Sequence, residues 1–296
     1  MVNNDPCVSL HFSLLGPVRA WRGSTELDLG SRQQRTTLAM LLLREGTVAT
    51  LDELIRGMWW EEPPRSAVTT IRTYVYRLRG VLNDGADGTG RLCSVGGGYA
   101  LPTAGDALDV SRFRRHTAAG AEAARRGDWP TAAAEHRAAL QLSYGEPLAG
   151  TIGPYAQGQR ARLDQLVTAA RIDLLDAEVN LGRHREILPE LAAMAAAHPL
   201  WEDLQAMLMT ALYGSGRIAD ALQHYQKTRR ALVDDLGVEP GIRLRTVHQR
   251  ILACDPSLVP AAPASRTGPA VRRPSRPSAV RRARHHARIS RLRLPR

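Results

Sequence analysis

The sequence predicts a mostly α chain in two ordered parts: an α+β module over residues 1–104 and an all-α repeat domain over 105–255. Three observations predict it. Before residue 104, short strand-like segments bracket three capped amphipathic helices, and a glycine-rich hairpin pattern closes the set. After residue 107 the apolar residues recur at steps of three and four, and two similar segments begin 34 residues apart. The composition agrees, with 44% hydrophobic but only 5% aromatic residues, as Ala- and Leu-rich helices require.

Residues 8–15 (VSLHFSLL), 18–21 and 26–29 read as strands, separated by the turn pairs Gly16-Pro17 and Gly23-Ser24. Ser31 is positioned to cap a helix to about Arg44, with Leu38, Ala39, Leu41 and Leu42 as its buried stripe. Thr50 caps a second helix, LDELIRGMWW, that stops before Pro63-Pro64. The third helix spans residues 65–82, RSAVTTIRTYVYRLRGVL, and its spacing buries Val68, Ile71, Val75, Leu78 and Leu82. Its opposite face holds Thr69, Arg72, Thr73, Tyr76, Arg77 and Arg79 without one acid. Such a face suits the major groove of DNA, where Arg and Thr reach base edges and other cations and hydroxyls grip phosphates. For an isolated helix, a solvated face is the plainer reading; its neighbours favour DNA. The loop NDGADGTG leads into RLCSVGGGYALPT, in which residues 92–95 and 99–101 flank three glycines as a β-hairpin does. A hairpin directly after a recognition helix is the wing of a winged helix-turn-helix. An ordinary hairpin closing a small domain describes the same fold without the DNA.

From residue 107 to 253 three segments share a Gly-initiated opening: GDWPTAAAEHRAAL, GRHREILPELAAM and GRIADALQHYQKT. The 34-residue interval between the last two is the period of tetratricopeptide (TPR) helix pairs. The longer first interval implies an extra-long helix over about 155–181, with Leu163, Leu166, Ala170, Leu174 and Ala177 on one face. Ala133 and Ala221 are the small residues that let paired helices approach.

The net charge of +11 is local. Eleven arginines and no acid follow Asp255, which leaves 29 basic against 29 acidic residues up to that point. Residues 256–296, rich in Pro, Ala, Ser and Arg, read as a disordered tail able to hold phosphates nonspecifically. Cys7, Cys93 and Cys254 are too scattered for a disulfide framework or metal cluster. No run is long enough to span a bilayer and MVNNDPCVSL lacks the form of a secretion signal, so a cytoplasmic, non-membrane protein is expected. The lone lysine, Lys227, lies in QHYQKTRR, which excludes a Walker A loop and a lysine-dependent receiver domain. The nine histidines form no His-x-x-x-His pair and there is no Cys-x-x-Cys, so no catalytic site, cofactor or metal is expected.

The order of elements resembles the OmpR-type winged helix. More narrowly, SRQQRTTLAMLLLREG, WWEEPP and TIRTYVYRLRGVL resemble the DNA-binding half of the Streptomyces antibiotic regulatory protein family. Residues 197–252, AHPLWEDLQAM through DDLGVEPGIRLRTVHQRIL, resemble that family's bacterial transcriptional activation domain, TPR-like in fold. Within DDLGVEPG, Gly237 closes one helix and Pro240 opens the next. Three features depart from the family: Val95, Gly96 and Gly97 stand where a wing arginine is usual, Trp60 stands where glycine is common, and LSYG replaces a Leu-Trp-Arg-Gly pattern. Arg91 is the cation nearest the wing.

The expected function is therefore a non-enzymatic, sequence-specific transcriptional activator. Arg72, Thr73 and Arg77 are expected at base edges, Thr69, Tyr76 and Arg79 at phosphates, and Ser31, Arg32, Arg35 and Arg91 at the DNA backbone. Residues 1–104 hold eleven basic and ten acidic groups, so one copy should bind weakly and a homodimer on tandem repeats is expected. The resemblance implies double-stranded promoter DNA and RNA polymerase holoenzyme as partners and an antibiotic gene cluster as target, with Trp60, Glu61 and Glu62 as the candidate polymerase contact. The alternatives are a TPR-like protein-interaction adaptor with a degenerate winged helix, and a ligand-sensing regulator.

Overall fold

The computed structural model of the chain describes residues 10–82, 92–103 and 107–259. Three antiparallel strands open it: β1 (Leu10–Ser13), β2 (Arg19–Arg22) and β3 (Thr25–Glu26), with Leu10 opposite Arg22 and Trp21 opposite Glu26. Helix α1 (Arg32–Leu42) starts at a capping box, in which Ser31 Oγ accepts from Gln34 N at 3.3 Å and Gln34 Oε1 accepts from Ser31 N at 3.1 Å. Strand β4 (Ala49–Thr50) precedes α2 (Leu51–Trp59), whose capping box joins Thr50 and Glu53 in the same way. The Thr50 backbone N–H and the Arg44 guanidinium hold the Glu53 carboxyl below its usual pKa.

Helix α3 (Ala67–Leu82) buries Ala67, Ile71, Val75, Leu78 and Leu82. Val68, expected in that stripe, is 41% exposed instead. The residue one full turn before Ile71 is Ala67, and the smaller side chain occupies the inward position. The hairpin β5 (Cys93–Val95) and β6 (Gly98–Ala100) turns through Gly96 and Gly97, both at positive φ (53° and 82°), as two-residue hairpins demand. β6 also pairs with β4, giving the order β4-β6-β5. A Cβ at Gly98 would lie 2.3 Å from Ala49 O, so only glycine admits this close pairing.

Seven helices follow: α4 (Asp109–Arg125), α5 (Trp129–Leu140), α6 (Pro154–Asn180), α7 (His184–Ala197), α8 (Glu202–Gly214), α9 (Ile218–Leu236) and α10 (Ile242–Leu252). The three Gly-initiated segments are the starts of α5, α7 and α9, and the extra-long helix is the 27-residue α6. Ala133 and Ala221 are buried between helices as the repeat pattern requires. Two glycines admit imidazoles at such crossings: Gly120 faces the ring of His136, and Gly214 faces that of His184. Gly237 ends α9 in the left-handed conformation at φ 69°, whereas α10 begins only at Ile242, with Pro240 buried just ahead of it.

Helix α6 belongs to both large cores. Leu163 and Ala170 join the core of the sheet and α1–α3, while Leu175 and Val179 join that of α7–α10. The α+β module and the helical repeats thus share buried side chains within one compact unit. A polar staple reinforces the junction. Buried Asp109, first residue of α4, accepts from Leu14 N (2.8 Å), Leu15 N (2.9 Å) and Ser13 Oγ (2.9 Å). Tyr144 donates its hydroxyl to Ser13 Oγ at 2.8 Å, and its backbone leaves no room for a Cβ at Gly16. Burial pushes the Asp109 carboxyl above its usual pKa against these donors.

The expectation of disorder from residue 256 does not hold for the first residues of the tail. Asp255 caps a 3-10 turn (Pro256–Leu258), and Leu258 is buried in the second core. The remainder of the tail, the loop at 83–90, Arg91 and Cys7 lie outside the described residues. Among the described residues no helix is long and apolar enough to cross a membrane.

Candidate nucleic-acid interface

Helix α3 rests on the first core and turns Thr69, Arg72, Thr73, Tyr76 and Arg77 outward, all of them exposed. At 100° per residue, Thr69, Thr73 and Tyr76 form the central stripe of that face, and Arg72 and Arg77 flank it about 140° apart. Tyr76 is 77% exposed, far beyond what a packing role needs. Neither arginine has a carboxylate partner among the described residues. Thr73 Oγ1 donates to Thr69 O at 2.9 Å, leaving its lone pairs outward. Arg65, just before the helix, is exposed as well and extends the cationic surface. The sequence pattern passed over it because it precedes the periodic stripe.

Arg79 departs from its expected role at a phosphate. Its Nε donates to Leu92 O (2.9 Å), its Nη2 donates to Ser94 Oγ (2.7 Å), and its guanidinium lies 5.7 Å from the Tyr99 ring centre. These bonds fasten the β5–β6 hairpin to the end of α3. Arg22, which no local pattern singles out, secures the same end by donating Nη2 to Val81 O at 2.8 Å. Such a cation on a terminal helix carbonyl also complements the macrodipole. The wing tip, Val95–Gly97, is exposed and uncharged; Arg91 is outside the described residues.

The three residues expected at the DNA backbone from the first helix all have contacts within the protein. Ser31 is occupied as N-cap, Arg32 Nη2 reaches Thr151 O at 3.4 Å, and Arg35 is half-buried beside Gly150. Thr36 Oγ1 accepts from Ile152 N (2.9 Å), and its one proton lies between Arg32 O (2.9 Å) and Ile152 O (3.1 Å). The start of α1 is thus tied to the segment before α6 through Thr36 and a long contact from Arg32, although Ser31 and Arg32 themselves remain exposed.

Between α2 and α3 the chain makes a tight turn. Trp60 adopts φ 60° and ψ −115°, a region that suits glycine, yet its side chain is 60% exposed. Glu61 and Glu62 beside it are exposed, while Trp59 packs half-buried on the first core. Glycines allow close packing beneath this turn: a Cβ at Gly57 would collide with Met40, and one at Gly153 would lie 2.7 Å from Met58 O. Among the described residues no group of three His, Cys, Asp or Glu side chains is arranged to hold a metal ion.

Residues 24–101 match the family model described as "Transcriptional regulatory protein, C terminal", and residues 108–252 match "Bacterial transcriptional activator domain". The chain is 47% identical over 269 residues to the regulatory protein AfsR of Streptomyces coelicolor, covering 90% of itself but 27% of AfsR. It thus spans about a quarter of that relative's length. It is 35% identical to the regulatory protein DnrI of Streptomyces peucetius, covering 88% of itself and 97% of DnrI. Among solved structures it is similar to Mycobacterium tuberculosis EmbR in complex with a low affinity phosphopeptide, with a TM-score of 0.77 at 34% identity. That match covers 83% of this chain and 66% of the other.

Proposed function

Because the chain belongs to the Streptomyces antibiotic regulatory protein family, we propose that it activates transcription of an antibiotic biosynthetic gene cluster by inserting α3 into the promoter's major groove. One observation carries the proposal: an acid-free face of α3 with a hydroxylic centre and two arginines lacking carboxylate partners among the described residues. Arg72, Thr73 and Arg77 read base edges, and Thr69, Tyr76 and Arg65 hold phosphates. Two copies occupy tandem repeats, because the nearly neutral N-terminal module alone offers few phosphate contacts. The exposed turn Trp60-Glu61-Glu62 meets RNA polymerase holoenzyme while α3 is on the DNA.

The test is a fluorescence titration of the whole chain against cognate and scrambled duplexes. Arg72→Ala or Arg77→Ala should each lose about 1–3 kcal/mol on the cognate site and relax its specificity at one position. Thr69→Ala should weaken both duplexes equally. Undiminished binding by both arginine variants would reject the assignment.

A further inference from the structure

A second surface lies far along the chain from α3. Helices α7, α8 and α9 enclose an open groove of about 940 Å³. Its floor is aliphatic, formed by Leu188, Leu208 and Leu212. One wall is the outer face of α9, where Asp220, Gln223, Lys227 and Arg230 follow at helical spacing, opposite the buried Ala221, Tyr225, Thr228 and Leu232. Arg217 at the mouth is paired with Asp220 at 2.6 Å, which neutralises both. Lys227 and Arg230 are exposed and neither has a carboxylate partner among the described residues. His224, in the same wall, donates its Nε2–H to Gln205 Oε1 at 2.7 Å; burial, with Lys227 beside it, depresses its pKa, so it adds no charge near neutrality.

We infer that this groove is a docking site for an acidic amphipathic helix of another protein, with aliphatic side chains on the Leu floor and carboxylates against Lys227 and Arg230. The charge selects the occupant. Two cations about one helical turn apart, without carboxylate partners among the described residues, would meet carboxylates at i and i+3 or i+4 on a partner helix. The chain's own segment after residue 259, with eleven arginines and no acid, carries the same sign as the wall, so charge does not select it as the occupant. A nucleic acid would find phosphate partners on the wall but would cover an aliphatic floor with polar backbone.

The single lysine makes the site addressable. The probe is a fluorescein-labelled 18-residue peptide with Leu at i, i+3, i+4 and i+7 and Glu elsewhere, titrated by anisotropy into the whole chain. A matched peptide with Lys in place of Glu is the control. The Glu peptide should bind at least tenfold more tightly than the control, and zero-length carbodiimide coupling should join it to Lys227, as read by mass spectrometry. The variant Lys227→Glu/Arg230→Glu should lose binding at least tenfold. So should Ala192→Glu, which sets a carboxylate on an exposed position of the groove's other wall. Both should keep the wild-type affinity for promoter DNA, which separates this site from the α3 reading. Equal binding of the two peptides, coupling that bypasses Lys227, or unchanged binding by both variants overturns the inference. Loss of DNA affinity in the charge-reversed variant, or displacement of the peptide by random duplex, would assign these cations to nucleic acid and overturn it too.

Discussion

Trp60 occupies backbone geometry in which a Cβ is strained, and replacing it by glycine and by alanine separates backbone strain from side-chain function. Both replacements remove the indole, so the loss of its partly buried surface cancels between them. The difference has two parts. A non-glycine residue at φ 60°, ψ −115° costs about 1–3 kcal/mol. Glycine gives back about 0.4–1 kcal/mol through the freer unfolded chain. Trp60→Gly should therefore be more stable than Trp60→Ala by about 1 kcal/mol, the reverse of the order inside a helix. For a body of this size that is about 2–4 °C in Tm. Urea unfolding followed by circular dichroism measures it, and an alanine variant equal to or more stable than the glycine one would refute the strain. Both variants should lose activation in transcription with purified polymerase while keeping DNA affinity; full activation by either removes Trp60 from the polymerase contact.

Asp109→Ala leaves the buried donors of Leu14, Leu15 and Ser13 without their acceptor, and should cost about 3–5 kcal/mol in chemical unfolding. A loss under 1 kcal/mol would show that the staple contributes little. His184 is buried against Gly214 and both ring nitrogens lack a partner, and its pKa is depressed by burial. The unfolded chain takes up this proton first, so the stability involved is intact above about pH 6.5 and is lost as pH falls below it. Unfolding free energies at pH 7.5 and 5.5 should converge in His184→Gln relative to the wild type. His136, whose pKa burial likewise depresses, will retain part of the slope. An unchanged pH dependence in the variant would contradict the burial argument.

Local chemistry made much of the fold readable. Ser31 with Gln34 and Thr50 with Glu53 announce helix starts within four residues, and both capping boxes form. The buried stripe of α3 is likewise a property of spacing alone, apart from its first member, where Ala67 displaces Val68. What spacing could not reveal depends on partners distant in sequence. β4 is two residues long and exists because β6 pairs with it. Asp109 looks like any helix-start acid until β1 is brought against it. The candidate site divides along the same line. The outward positions of Thr69, Arg72, Thr73, Tyr76 and Arg77 follow from periodicity, whereas the contacts of Arg79 with the hairpin and of Arg32 and Arg35 with the segment before α6 depend on partners distant in sequence.

Helix α6, at 27 residues, runs about 40 Å without a break and is rooted in a core at each end. It acts as a girder, joining the core of the amino-terminal module to that of the α7–α10 end. With no hinge along that span, bearing and distance between the two ends are set in advance. On a promoter, the spacing of tandem repeats would then dictate where each far end sits around the duplex, so inserting half a helical turn between repeats should silence activation while each copy still binds.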